Sequence, residues 1–218
     1  MSDISALFKG VIFDLDGVIV HTDTLHYKAW KSVADRLSIP FDEEVNDRLR
    51  GVSRGESLEI ILEQSKRRYD GAQKERLCTE KNGIYVDSLA SLSALDVAAE
   101  VSDTLKLLKG AGLKLAVGSS SKNAKTILSR IGLADFFDAV SDGTNIQRTK
   151  PDPEVFLKAA AMIGLKPSEC AVVEDAAAGI EAAINGGFTA IAIGGAAASN
   201  GARFNIKSLS ELQKIILK

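Results

Sequence analysis

Cysteine is scarce in this sequence, with Cys78 and Cys170 alone. That is too few for a disulfide framework or a structural zinc site, and neither has a neighbouring ligand at metal-binding spacing, so a reducing, cytoplasmic setting is expected. Long apolar runs are missing too. No stretch approaches the ~20 uninterrupted apolar residues of a membrane span, and the opening MSDISALFKG lacks the apolar segment of a signal peptide. A soluble, unprocessed chain with no membrane partner is expected. Neither sign of charge dominates: a net charge of -2 with 26% charged residues argues against general binding to nucleic acid. There is no internal repeat and no GxGxxG, so the glycine- and alanine-rich run 194–201 reads as a loop and not a dinucleotide site.

What the chain does have is length and core material. Its 218 residues, 45% hydrophobic, suit one large α/β domain or a domain with a modest insertion. The most informative stretch is FKGVIFDLDGVIV, residues 8–20. Val11, Ile12 and Phe13 fit a strand buried on both faces of a parallel sheet. Asp14 and Asp16 follow, spaced so that both side chains project to one side at the strand's C-terminal end, where open α/β sheets place ligands. Gly17 lets the backbone turn. By itself, Asp-x-Asp-Gly is equally an ordinary turn.

From Thr22 to about Leu92 the pattern is helical, which predicts an inserted helical domain at 21–92 within a core made of 1–20 and 93–218. A first helix is expected from Thr22 to Leu37, with Leu25, Ala29, Val33 and Leu37 on its buried stripe. Asp42 is positioned to cap a second, and Ser53 with Glu56 has capping-box spacing for a third. Arg54 then falls in that helix's first turn. The helix dipole disfavours a cation there, so Arg54 is either a ligand for an anion or a solvated surface arginine. A long helix from about Ala72 to Leu92 closes the insertion and carries Lys81 and Asn82.

Beyond Ser102 helix and strand signals alternate, as in a doubly wound parallel sheet. Strands are expected at 113–117, 137–140, 171–173 and, last, 189–193. The turn Gly118-Ser119-Ser120-Ser121-Lys122-Asn123 opens a helix, placing hydroxyls and free amides where a phosphate would bind. Lys150 precedes Pro151, which biases it toward extended backbone. Glu174 and Asp175 end the third of these strands. If the strands are neighbours, Asp14, Asp16, Glu174 and Asp175 converge, and Lys150 offsets only one charge. A hard divalent cation with oxygen ligands would relieve the rest, and magnesium suits carboxylates, water and a phosphate. Without His or Cys ligands, zinc is not expected.

DLDG, GSSSKN, the Lys150-Pro151 loop and VVEDAAAG at Val172–Gly179, in that order, resemble the motifs of the haloacid dehalogenase superfamily of phosphotransferases. The resemblance spans nearly the whole chain and implies an α/β core with a small helical cap inserted after the first motif. It implies that Asp14 attacks phosphorus, Asp16 handles protons, Ser119 and Lys150 hold the transferring oxygens, and Mg2+ is bound by Asp14, the main chain of Asp16, and Asp175 with Glu174 close by. HTDTLHYKAW, RGVSRGESL and SSSKN look like the β-phosphoglucomutase family in particular. That likeness implies that His26 couples cap closure to Asp16, that Gly51, Val52, Ser53 and Ser57 with Lys81 bind the sugar, and that Arg54, Ser121, Lys122 and Asn123 bind a distal phosphate. It further implies glucose 1,6-bisphosphate as activating intermediate and a monomeric enzyme. Two departures concern cap motion: His21 stands where relatives often carry an acid, and Ala98-Ala99-Glu100 lacks the family's proline-glycine crossing. A capped phosphatase for a small sugar phosphate shares all the core residues. A phospho-acceptor signalling module also combines acids, a hydroxyl and a lysine on such a sheet, but has no place for the long insertion or the Glu174-Asp175 pair.

Overall fold

The computed structural model describes residues 8–49, 52–195 and 201–217. Its centre is a six-stranded parallel sheet of β1 (Gly10–Phe13), β2 (Lys114–Gly118), β3 (Ala139–Ser141), β4 (Cys170–Glu174), β5 (Thr189–Ile193) and β6 (Phe204–Ile206), in the order β3-β2-β1-β4-β5-β6. The expected doubly wound α/β fold is therefore present. β1 is buried on both faces, as its continuous apolar run requires, and its side chains alternate between two cores. Val11 and Phe13 join one hydrophobic cluster and Ile12 the other.

Between β1 and β2 the described elements are all helical, and those before residue 97 are α1 (Asp23–Arg36), α2 (Glu43–Asp47), α3 (Arg54–Leu62), α4 (Gly71–Ser88) and two short 3-10 turns. They build a hydrophobic cluster of their own from Trp30, Val33, Ala34, Phe41, Leu58, Ile61 and Leu77, among others. Three starts follow sequence chemistry. Asp42 accepts from the Val45 amide at 3.0 Å, and Ser53 and Glu56 close both halves of a capping box on α3. Asp70 and Gln73 do the same for α4. After the insertion come α5 (Ala99–Gly110), α6 (Ala124–Arg130), α7 (Glu154–Met162), α8 (Ala177–Asn185) and α9 (Leu212–Ile216). Residues of α5, α6 and α9 pack with Val11 and Phe13, while those of α7 and α8 pack with Ile12. The sheet thus carries helices on both faces.

Some boundaries differ from expectation. The buried face of α1 is Ala29, Trp30, Val33 and Ala34, with Leu25 and Leu37 at its margins, because a strict four-residue spacing overshoots the 3.6-residue turn and winds off one face. α4 stops at Ser88, and residues 89–91 tighten into a 3-10 turn. The strand expected at 137–140 pairs at Ala139–Ser141. β5 is not the last strand, since β6 extends the edge beyond it. Three residues, FNI, carry no periodicity from which a strand could be read. Most of the loop expected at 194–201 lies outside the described residues, as does Gly51. Among the described residues no helix is long and apolar enough to cross a membrane.

Candidate active site

The strand order reverses at β1, which lies between β2 and β4, and the crevice beyond such a switch point is the expected binding place of an open α/β sheet. Strand register fixes what gathers there. Phe13 aligns with Val117 and with Val173, so Asp14, Ser119 and Glu174 emerge together just past the strand ends. The Asp14 amide continues the ladder by donating to the Val173 carbonyl at 2.9 Å.

Lys150 reaches this edge from the loop after β3, through a cis Lys150–Pro151 peptide. Its ammonium is 1% exposed, donates to Asp14 Oδ1 and to Glu174 Oε2, the latter at 2.8 Å, and lies over the Phe156 ring. Burial works against that charge, but Asp14 and Glu174 outweigh it and hold the lysine above its ordinary range. The carboxylates are under opposite stress. Burial pushes Asp14 up to about 7, with Lys150 pulling it down and Glu174 adding to the rise. Asp16 is also pushed up to about 7, by burial and then by the charge of Asp14. Glu174 is raised by burial against the pull of Lys150.

Carboxylate oxygens of Asp14, Glu174 and Asp175 lie within 4.8 Å of one another. One ammonium cannot balance three such groups, and the all-oxygen donor set suits a hard divalent cation, so the residues present fit a metal site. The surrounding backbone is shaped to these acids. A Cβ at Gly17, whose φ is +90°, would lie 2.1 Å from Asp175 Oδ2, and one at Gly179 would lie 2.0 Å from Glu174 Oε2. Glycine is demanded at both places.

Asp16 sits in the turn beyond β1, closed by Gly17 N–H donating to the Val20 carbonyl at 2.8 Å. Its Oδ1 accepts from the Thr22 hydroxyl. Thr22 occupies the N-cap of α1 yet makes no side-chain cap bond, because that hydroxyl is directed to Asp16 instead. Ser119 is 1% exposed, and its hydroxyl accepts from the Ser121 amide at 3.1 Å, while the Ser121 hydroxyl accepts from the Asn123 amide at 3.2 Å. Both serines therefore shape the turn as well as line it.

Helices of the insertion form the facing wall. Lys81 is buried, lies over the rings of Trp30 and Tyr85, and is 2.7 Å from His26 Nδ1. As an ammonium it can only donate, which leaves the His26 proton on Nε2. His26 stacks on Tyr85, and burial, followed by the charges of Lys81 and Arg54, keeps its pKa well below the usual value. Burial and then Arg54 lower Lys81 to about 7. Trp30 packs in the insertion's cluster and also lines the cleft. Half-buried Arg54 donates from Nη2 to Asn82 Oδ1 at 2.7 Å, and Asn123 donates to the same oxygen at 3.0 Å.

These walls enclose a cleft of about 1370 Å³ lined by Asp14, Asp16, His26, Val52, Ser53, Arg54, Ser57, Lys81, Ser119, Ser121, Lys122, Asn123, Lys150, Glu174 and Asp175. Each candidate residue named from sequence is among them except Gly51, which lies outside the described residues. Sequence reasoning gave no role to Thr22, Tyr85, Asn82 or Thr149 and only a capping role to Glu56, though the Thr149 and Glu56 side chains join insertion to core at 3.0 Å. Only a fold that brings distant helices together could have revealed them.

A doubly wound sheet ending in an Asp-x-Asp turn, a serine turn, a lysine and an acidic pair defines a phosphoryl-transfer type of core. The chain belongs to the haloacid dehalogenase-like hydrolase family, whose model matches residues 8–187. It is 41% identical over 206 residues to a β-phosphoglucomutase of Bacillus subtilis, covering 94% of this chain and 91% of that one. It is 31% identical to a fructose-1-phosphate phosphatase of Escherichia coli, covering 84% and 95%. Its structure matches that of a β-phosphoglucomutase from Clostridium difficile with a TM-score of 0.90 at 32% identity, covering 96% and 97%.

Proposed function

We propose that this protein is a phosphoglucomutase that interconverts β-glucose 1-phosphate and glucose 6-phosphate through an aspartyl-phosphate enzyme and glucose 1,6-bisphosphate, with 21–92 serving as a cap over the core. The observation that carries this reading is a second set of anion-suited donors in the same cleft as Asp14. Arg54 from the insertion and Asn123 from the core converge on one oxygen, that of Asn82. A mutase handles a bisphosphate in both orientations and needs such a set. A phosphatase for monophosphates does not. The likeness to the Bacillus subtilis enzyme supports the same reading.

In this mechanism phosphorylated Asp14 gives its phosphoryl group to the 6-hydroxyl of β-glucose 1-phosphate. Asp16 takes the hydroxyl's proton as the new P–O bond forms and the aspartyl bond breaks. Its pKa near neutrality suits a group that must both accept and return a proton. The bisphosphate then presents its C1 phosphate, Asp14 attacks that phosphorus, and Asp16 returns the proton to the departing C1 oxygen, releasing glucose 6-phosphate. Ser119, whose hydroxyl proton remains available after Oγ accepts from Ser121, and Lys150 steady the transferring oxygens. Asp14, the Asp16 main-chain carbonyl and Asp175, with Glu174 beside them, would hold magnesium, whose positive charge would let an anionic carboxylate approach an anionic phosphate. Gly51, Val52, Ser53, Ser57 and Lys81 contact the sugar, and Lys122 and Ser121 join Arg54 at the distal phosphate.

The test is turnover of a panel of hexose 1-phosphates with magnesium and a trace of glucose 1,6-bisphosphate, with sugar 6-phosphate and free phosphate measured separately. The mutase reading expects sugar 6-phosphate from β-glucose 1-phosphate far in excess of free phosphate. Stoichiometric free phosphate would instead make the protein a sugar phosphatase, like its Escherichia coli relative.

A further inference from the structure

The distal donors already have an acceptor inside the protein. Arg54 opens α3, Asn123 belongs to the core turn before α6, and Asn82 lies on α4, yet the Asn82 side-chain carbonyl receives one hydrogen bond from each. A guanidinium has no acceptor, so the amide must point its oxygen toward Arg54. Asn123 occupies the N-cap position of α6 but makes no side-chain cap bond. Its side chain has given up local capping for a contact across the cleft. A second tie, Thr149 hydroxyl to Glu56 carboxylate at 3.0 Å, joins the residue before Lys150 to the first turn of α3. Both ties run between segments that carry site residues.

We infer that the side-chain carbonyl of Asn82 is a built-in competitor of the distal phosphate: it holds Arg54 within the cap, latches cap to core through Asn123, and is exchanged for a phosphate oxygen when substrate binds. This rests on the reading of Arg54 and Asn123 as distal-phosphate residues. The chemistry favours exchange in one direction. An amide oxygen is a neutral acceptor, whereas a phosphate oxygen is anionic and makes stronger, charge-assisted bonds with a guanidinium. The latch therefore keeps the two donors oriented toward one point without holding them against the ligand, so less ordering remains to be done on binding.

The isosteric Asn82→Asp substitution tests the idea, because a carboxylate would bind Arg54 tightly and repel phosphate. Its KM for β-glucose 1-phosphate should rise about tenfold or more, with a much smaller effect on kcat. Asn82→Ala should raise KM far less than Asn82→Asp, because loss of the competitor offsets loss of the donors' orientation. Small-angle scattering without substrate should give a larger radius of gyration for Asn82→Ala than for wild type. An Asn82→Asp enzyme indistinguishable from wild type, equal KM increases in both variants, or no change in scattering would each overturn the inference. Arg54→Ala separates it from its premise. If that variant binds the sugar phosphate normally, the distal-phosphate reading fails as well. If it binds poorly while Asn82→Asp behaves as wild type, only the role of Asn82 falls.

Discussion

The two walls of the cleft are built by different means. On the core side, Asp14, Glu174 and Lys150 are held by strand ends or locked between them, are almost wholly buried, and answer one another's charges. On the insertion side, Arg54, Asn82 and His26 project from helices, are partly exposed, and share neutral or cationic contacts. Buried ionic groups tolerate little displacement, since each would leave an unpaired charge. Helix-borne polar groups can exchange partners at lower cost. The difference teaches where chemistry and where selectivity can reside: the tightly paired wall suits the proposed chemical step, and the adjustable wall suits recognition of the substrate's other end.

The strongest way to break that division is Asp14→Asn, which should reduce turnover to background while leaving folding intact. Near-normal sugar 6-phosphate formation by this variant would move the nucleophile elsewhere. Lys150→Met should strike stability as well as activity, because it leaves Asp14 and Glu174 facing each other without their cation. In chelator, urea denaturation should register a loss of about 3–5 kcal/mol. Arg54→Ala should fall on the adjustable wall alone. Losing its charge-assisted contacts should lower kcat/KM for β-glucose 1-phosphate roughly a hundredfold, about 2.7 kcal/mol, and cleavage of acetyl phosphate by much less. Equal losses on both substrates would erase the distinction between the walls.

The smallest effect concerns pH. Lys81 is lowered to about 7 by burial first and Arg54 second, with Asp16 pulling the other way. Between about 7 and its ordinary 10.5 the unfolded chain holds a proton that the folded one has released, so stability should rise with pH across that window. The penalty of burying the ammonium is complete below about 7. Urea midpoints measured across the window should climb for wild type, and Lys81→Met should flatten the climb.

Much of this could be read without coordinates. Alternating apolar runs ending in Asp14, Ser119 and Glu174 implied a parallel sheet with those residues at one edge, because a strand's register and direction follow from local pattern and short connections. Capping chemistry at Asp42 and Ser53 located helix starts for the same local reason. What escaped was weak or non-local. β6 is three residues long and is defined by its pairing with β5.

By itself, then, the sequence determined five of the six strands, the helices that follow β1 and the residue types at the core edge, since each depends on contacts between near neighbours in the chain or on strands whose order the motifs imply. Only the tertiary structure decided which polar groups meet across the cleft. Asn123 occupies the N-cap of α6, yet its side chain serves Asn82. Asn82 itself acquires its partners from chain positions 28 and 41 residues away. A hydrogen bond depends on where an oxygen lies to within a fraction of an ångström, and for residues so far apart in the chain that position is set by the packing of whole helices.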